Sequence, residues 1–215
     1  MCGIIGYYNK KTTEGDLKIL KRVMIESRIR GRHASGVAWF DGEEIQSIIK
    51  PVPIDVLVES IDFNRFLYNS SKVALIAHSR YSTSNIEFNQ PIVSDKLAIV
   101  HNGVISQEPY ETWEKTYGYK CVGKNDSELI LRAIENGDNP LDKFPDASIA
   151  SVVLDNSGDL KFFRNSRRPV WVGTIGEGVV IASTYDILKR AGVGDIHKIE
   201  VKNDMQKRDK RTWKP

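Results

Sequence analysis

The sequence has few cysteines and no long apolar segment. Cys2 and Cys121 are its only cysteines, too few for a disulfide framework and without the paired spacing of a zinc site. No apolar run approaches the roughly 20 residues of a membrane helix, and Met1 is not followed by the basic and apolar segments of a signal peptide. We therefore expect a cytoplasmic protein that does not bind membranes.

The charges nearly balance along most of the sequence. The formal net charge of the 215 residues is +3, whereas residues 202–215 alone carry six basic and two acidic side chains. Trp213 is the only aromatic residue among them. The segment therefore has few of the aromatic side chains, placed between basic ones, on which the bases of single-stranded nucleic acid stack. We interpret residues 202–215 as a solvated basic tail, expect one domain over residues 1–201, and do not expect nucleic acid as a partner.

Apolar periodicity predicts a mixture of strands and helices. Predicted strands are residues 2–8, 36–40, 44–49, 73–78, 97–100, 149–154, 160–164, 170–172, 179–182 and 196–201. Predicted helices are residues 16–30, 54–67, 108–117, 126–135 and 185–190. Because the strands recur without regular β-α alternation, the pattern favours an α+β fold with largely antiparallel sheets.

Cys2 is a candidate nucleophile. Removal of Met1 is expected because the second residue is small, and it would leave Cys2 with a free α-amino group beside its thiol. An α-amine and a thiol have similar acidities, so one residue would supply both nucleophile and base. The alternative is a small buried residue in an edge strand.

The Asn102-Gly103 pair also allows two interpretations. Asn-Gly between apolar segments is typical of a two-residue hairpin turn. An Asn side-chain amide and a Gly backbone N–H are equally a pair of donors suited to an oxyanion hole. His101, the preceding residue, is interpreted as structural, since the Cys2 amine already supplies a base.

Two further segments carry groups suited to a free amino acid. Arg80, at the end of a predicted buried strand, can bind a carboxylate with help from Ser82 or Thr83, unless it is an ordinary surface residue. Asp126 can pair with an ammonium group, although a capping box between Asn125 and Glu128 would explain an acid there equally well. Together with Cys2 and Asn102-Gly103, these groups suit the opening of an amino acid's side-chain amide.

In this combination the sequence resembles the class II glutamine amidotransferases, the cysteine branch of the N-terminal-nucleophile hydrolases. The matching segments, in the family's order and spacing, are residues 1–6, 30–31, 35–38, 77–83, 89–91, 101–103 and 125–128. Weaker similarity continues through residues 150–154, 164–165 and 181–183, so the resemblance covers nearly the whole chain.

The resemblance implies a four-layer αββα sandwich of two mainly antiparallel sheets, with Cys2 at the start of a central strand. It implies that Cys2 attacks the side-chain amide of L-glutamine, and that Asn102 and the Gly103 N–H hold the oxyanion. The remaining implied site residues are Arg80 and Thr83 for the α-carboxylate, Asp126 for the α-ammonium group, and Arg30 as a support for the nucleophile's surroundings. The products would be glutamate, through a glutamyl thioester, and ammonia, and neither a metal nor another cofactor is needed.

Three residues depart from the family's common pattern: His33 and Thr184 stand where Asp is frequent, and Ser84 where some members have His. No synthase domain follows in these 215 residues, so we expect a free-standing glutaminase that passes ammonia to a separate synthase. Two alternatives remain at this stage. One is a hydrolase of γ-glutamyl or other amides with the same fold, and the other is a non-catalytic regulatory subunit.

Overall fold

The computed structural model describes residues 2–68, 72–82 and 88–201. Thr83, Ser84 and the expected tail over residues 202–215 lie outside these ranges. The strands are β1 (Gly3–Asn9), β2 (Ala34–Phe40), β3 (Ile45–Lys50), β4 (Val73–Arg80), β5 (Ile92–Val93), β6 (Leu97–His101), β7 (Ala150–Asp155), β8 (Leu160–Arg164), β9 (Trp171–Ile175), β10 (Gly178–Ala182) and β11 (Gly194–Lys198). The helices are α1 (Glu14–Glu26), α2 (Ile54–Glu59), α3 (Arg65–Tyr68), α4 (Trp113–Tyr117), α5 (Glu128–Glu135), α6 (Pro140–Lys143) and α7 (Tyr185–Ala191).

The strands form two antiparallel sheets that pack face to face. One has the order β11-β9-β10-β1-β4-β2-β3, and the other has the order β5-β6-β7-β8. Side chains alternate across a strand, so Ile4 and Tyr8 of β1 pack towards the smaller sheet, whereas Ile5 and Tyr7 pack on the opposite face. Because β1 lies between β4 and β10, the edge-strand interpretation of Cys2 is wrong.

Helices cover the outer face of each sheet. α1, α2 and α7 bury Leu20, Leu57 and Leu188 against the larger sheet, and α4 and α5 bury Trp113 and Leu129 against the smaller one. The order of layers is therefore helix, sheet, sheet, helix, which confirms the expected α+β, four-layer αββα sandwich. In the described part of the chain, no helix has both the length and the apolar character needed to cross a membrane.

The single helix expected over residues 54–67 is wrong. α2 ends at Glu59 and α3 begins at Arg65. Between them the Ser60 hydroxyl donates to the Leu57 carbonyl, and the Asp62 carboxylate accepts from the Asn64 amide. Short polar side chains that bond nearby backbone groups compete with helical hydrogen bonds, and here they interrupt the periodic apolar pattern.

Gly6 marks the place where the two sheets approach closely. A Cβ atom on Gly6 would lie 2.8 Å from Cγ1 of Val152, on β7 of the facing sheet. Any larger side chain would therefore push against the layer between the sheets.

Gly6→Ala is expected to lower the free energy of unfolding by about 1–3 kcal/mol through overpacking. The Gly6→Ala/Val152→Ala double variant should lose less free energy of unfolding than the two single variants lose in total, since the shorter side chain at position 152 makes room for the added methyl group. Urea unfolding of the four proteins measures this coupling. Gly15→Ala, whose Cβ would have only an ordinary contact 3.6 Å from Thr13, is the control, and strictly additive losses would contradict the close approach.

Candidate active site

A cavity of about 710 Å³ opens at one end of the sandwich, and its lining includes Cys2, Arg80, Tyr81, Gln90, Gly103 and Asp126. The structure thus brings together four of the residues singled out in the sequence. Asn102 adjoins the lining residue Gly103, and Arg30 contacts the Cys2 backbone. Thr83 is the one predicted site residue that lies outside the described ranges.

Strand pairing places Cys2 beside Arg80. β1 and β4 are antiparallel with Gly3 opposite Ser79, and continuing this register by one residue puts Cys2 opposite Arg80. The Cys2 Sγ atom lies 3.9 Å from the Tyr81 carbonyl oxygen, to which the thiol donates weakly. The nucleophile candidate is therefore held where β4 ends.

Arg30 lies directly over the first residues of β1. It follows a 3-10 turn, Ser27–Ile29, which is tied to β4 by a 2.5 Å hydrogen bond between the buried hydroxyls of Ser27 and Ser79. The Arg30 Nε atom donates to the Cys2 carbonyl at 3.4 Å. Burial lowers the pKa of Arg30, and the charge of Cys2 acts in the opposite direction. A supporting role for Arg30 stays a prediction.

The Arg80 guanidinium lies at the cavity wall. Its Nη1 donates to the Phe88 carbonyl and, at 2.7 Å, to the Asn89 side-chain oxygen. Burial lowers the pKa of Arg80, and the charge of Cys2 opposes that shift. These contacts fix the position of the guanidinium, and carboxylate binding by this residue stays a prediction.

Asn102 and Gly103 do not form a hairpin turn, so that interpretation is wrong: β6 ends at His101 and pairs with β5 and β7. The backbone amides of Asn102 and Val104 donate to the backbone carbonyls of Ala150, at the start of β7, and Ser148, just before it. Since successive N–H groups of an extended segment point in opposite directions, the Gly103 N–H faces away from β7. Asn102 is 3% exposed, and its Nδ2 has no hydrogen-bond partner among the described residues. Two donors therefore remain for a ligand.

Asp126 stands just before α5 and lines the cavity. One carboxylate oxygen, Oδ2, accepts from the backbone amides of Ile105 at 2.6 Å and Ser106 at 3.3 Å. The carboxylate therefore fixes the segment that follows Asn102-Gly103 and faces the cavity at the same time.

The capping box between Asn125 and Glu128, considered as the alternative explanation for Asp126, does not form. Asn125 accepts from the Ser127 amide, but the Glu128 carboxylate turns the other way and accepts from the Val122 and Gly123 amides at 2.9 and 2.7 Å. Arg132 pairs with it at 2.7 Å. Glu128 thereby shapes the loop that leads to Asp126.

Of the departures from the family's pattern, His33 and Thr184 lie in the described ranges, and of these two only His33 makes a side-chain hydrogen bond there. The His33 Nδ1 accepts from the Ser82 amide at 2.8 Å, so this ring holds the segment that follows Arg80. Thr184 precedes α7, and its side chain makes no capping hydrogen bond.

Sequence reasoning gave no function to His78, a buried side chain of the cavity lining. Neither ring nitrogen has a hydrogen-bond partner in the described ranges. Burial lowers its pKa to about 3, with smaller contributions from Arg80 and His101. The signal in the sequence was a histidine at the end of an apolar strand.

The neutral state of His78 predicts a stability that depends on pH. A histidine in an unfolded chain binds a proton near pH 6.5, whereas folded His78 does so only near pH 3. Below pH 6.5 the unfolded chain thus holds more protons than the folded one. As the pH is lowered, the free energy of unfolding should therefore decrease, with this residue contributing up to about 1.4 kcal/mol per pH unit. His78→Gln should give a shallower slope between pH 6.5 and 4 in urea unfolding, and identical slopes would contradict the assignment.

Comparisons with known proteins fit this geometry, although no protein-family model matches the chain. A glutamine--fructose-6-phosphate aminotransferase (isomerizing) of Photorhabdus laumondii is 30% identical over 141 residues, which are 62% of this chain and 22% of the relative. The protein of that name from Helicobacter pylori is 25% identical over 205 residues, 87% of this chain and 33% of the relative. The chain thus spans about a third or less of the length of these curated relatives.

The fold matches solved structures across most of the chain. The structure of glutamine phosphoribosylpyrophosphate amidotransferase from B. subtilis has a TM-score of 0.70 and 19% identity, and the match covers 93% of this chain and 45% of that one. This likeness shows the N-terminal-nucleophile hydrolase fold. Together with the sequence matches, it shows what this chain is related to. Over the matched region the chain is a homologue of class II, N-terminal-nucleophile glutamine amidotransferases.

Proposed function

We propose that residues 1–201 hydrolyse the side-chain amide of L-glutamine through a glutamyl thioester on Cys2. The observation that carries the proposal is the unpartnered, buried Nδ2 of Asn102 next to Gly103, which lines one cavity with Cys2, Arg80 and Asp126. A buried donor without an acceptor is costly, and an oxyanion formed at this place would supply the acceptor.

Acylation follows from this arrangement. After removal of Met1, the free α-amine of Cys2 takes the thiol proton and the sulfur attacks the amide carbon. The carbonyl oxygen becomes an oxyanion that accepts from Asn102 Nδ2 and the Gly103 amide. The ammonium group of Cys2 then returns the proton to the amide nitrogen, the carbon–nitrogen bond breaks, and ammonia leaves a thioester behind.

Deacylation reverses these proton movements. A water molecule gives a proton to the α-amine and adds to the thioester carbon, and the oxyanion again lies at Asn102 and Gly103. Collapse breaks the carbon–sulfur bond, the thiol regains its proton and glutamate departs. In both steps Arg80, assisted by Thr83, binds the α-carboxylate, Asp126 binds the α-ammonium group and Arg30 holds the backbone of the nucleophile.

We further propose that the ammonia passes to a separate synthase instead of to solvent. The relatives' name, aminotransferase, and the small share of their length that this chain spans both support an acceptor outside the matched region. The proposed partner is a protein that covers the cavity mouth while it takes up ammonia.

A thiol-reactive glutamine analogue is expected to modify Cys2 alone. Burial and the charge of Glu128 raise the pKa of Cys121 to about 12, so that thiol stays protonated and unreactive. Intact-protein and peptide mass spectrometry should show loss of Met1 and one adduct on the N-terminal peptide. Cys121→Ser should be labelled and release ammonia like the parent chain, whereas Cys2→Ala should do neither. Labelling of Cys121, or ammonia release by Cys2→Ala, would contradict the proposal.

Asn102→Ala should lower kcat for glutamine hydrolysis by about 100- to 1,000-fold, with a small change in KM, since the lost donor acts on the oxyanion. Steady-state ammonia release measures both constants, and the melting temperature checks the fold. Asn136→Ala, a change at an exposed position after α5, is the matched control. An unchanged kcat in a folded Asn102→Ala protein would remove this residue from the mechanism, and faster turnover of γ-glutamyl amides than of glutamine would favour the other substrate class.

A further inference from the structure

A closed set of hydrogen bonds lies beneath the Asn102-Gly103 segment. Gln90 Nε2 lies 2.9 Å from Ser127 Oγ, and Ser127 Oγ lies 2.9 Å from His101 Nδ1. The other ring nitrogen, Nε2, lies 3.1 Å from the Ser148 carbonyl oxygen. The Gln90 side-chain oxygen accepts from the His101 amide at 2.6 Å. Gln90, His101 and Ser127 are each at most 5% exposed.

Only one direction of donation satisfies every atom of this set. The Ser148 carbonyl can only accept, so His101 Nε2 carries a proton. The Gln90 oxygen faces a backbone N–H, which leaves its amide group to donate to Ser127. The Ser127 hydroxyl must then donate to His101 Nδ1, which carries no proton. The ring is therefore the neutral Nε2–H tautomer.

The groups around the ring favour the same charge state. Burial is the largest influence and lowers the pKa of His101; Arg168 adds to this, while Asp126 and the Ser148 carbonyl act against it. His78, the other imidazole nearby, is itself neutral because its pKa is lowered to about 3. A neutral ring that accepts at Nδ1 is thus maintained by burial and by Ser127.

The ring in turn supports the backbone of the oxyanion site. A Cβ atom on Gly103 would lie 2.6 Å from His101 Nε2 and would overlap the Ser148 carbonyl oxygen. That same carbonyl accepts from the Val104 amide at 3.1 Å. Rotation of the ring, or a change of tautomer, would displace Ser148 and with it the backbone on both sides of Gly103.

We propose that Gln90 is a positioning residue, which through Ser127 fixes His101 as the neutral Nε2–H tautomer and so holds the Asn102-Gly103 donors in place. The inference deepens the proposed function and rests on it for the use of those donors. Gln90 lines the cavity, but its side-chain atoms are engaged by Ser127 and His101 and act through them.

The test combines spectra with kinetics on the full chain. In protein labelled with ¹⁵N-histidine, and assigned with His33→Asn and His197→Asn variants, His101 should show one protonated nitrogen, Nε2, from pH 6 to 8. Gln90→Met keeps the length of the side chain but removes its donor and acceptor, and should mix the tautomers. Gln90→Glu cannot donate to Ser127, so the Ser127 hydroxyl turns to the carboxylate and His101 should show protons on both nitrogens.

For glutamine hydrolysis, Gln90→Met should lower kcat by about 10- to 100-fold, as a misplaced donor does, and leave KM within about twofold. Gln46→Met, on β3 at the far edge of the larger sheet, should match the parent chain. A proton on Nδ1 in the parent protein, an unchanged kcat in Gln90→Met, or a loss explained by the unfolded fraction would overturn the inference. If the parent chain released no ammonia, the proposed function would fail, and the spectra would still decide the tautomer.

Discussion

The pairing of β1 with β4 is the constraint on which the rest of the site depends. It puts the residue just before the central strand at the point where β4 leaves the sheet, so Cys2 meets Arg80 and the Tyr81 carbonyl. The segment before β2 passes close to the same point. A Cβ atom on Gly31 would overlap the Arg80 backbone, so this approach requires glycine. Gly103, just after β6 of the smaller sheet, and Asp126, just before α5, line the same cavity.

Burial sets the charges around this point. The imidazoles of His78 and His101 are kept neutral by the loss of water around them. Arg30 and Arg80 stay close to the sulfur, although burial lowers the pKa of each guanidinium. The site therefore combines neutral hydrogen-bonding groups beneath the proposed oxyanion donors with positive charge beside the proposed nucleophile.

Local signals predicted much of the fold. The apolar segments over residues 2–8, 36–40 and 44–49 predicted β1 and the β2–β3 hairpin, because each depends on a few neighbouring residues. The single helix expected over residues 54–67 does not form because the side chains of Ser60 and Asp62 hydrogen-bond backbone groups that a continuous helix would use. α6 was missed, although Asn139 caps it and Pro140 begins it, since it has only four residues.

The candidate site residues follow from residue types and motifs, whereas the residues that hold them in place depend on contacts distant in sequence. Gln90 meets Ser127 across 37 positions, and His101 meets Ser148 across 47. No periodicity encodes such pairs. The capping box failed for a similar reason: Glu128 binds the loop that precedes it, and only the folded chain shows which partner is nearer.

The central claim is that Cys2 carries the acyl group. A single turnover of the processed chain with glutamine, quenched in acid within the first turnover and analysed by peptide mass spectrometry, tests it most directly. The account predicts a transient glutamyl adduct, labile to hydroxylamine as a thioester is, on the N-terminal peptide that begins with Cys2. Release of ammonia with no adduct on that peptide at any time, or with an adduct on Cys121 instead, would contradict it.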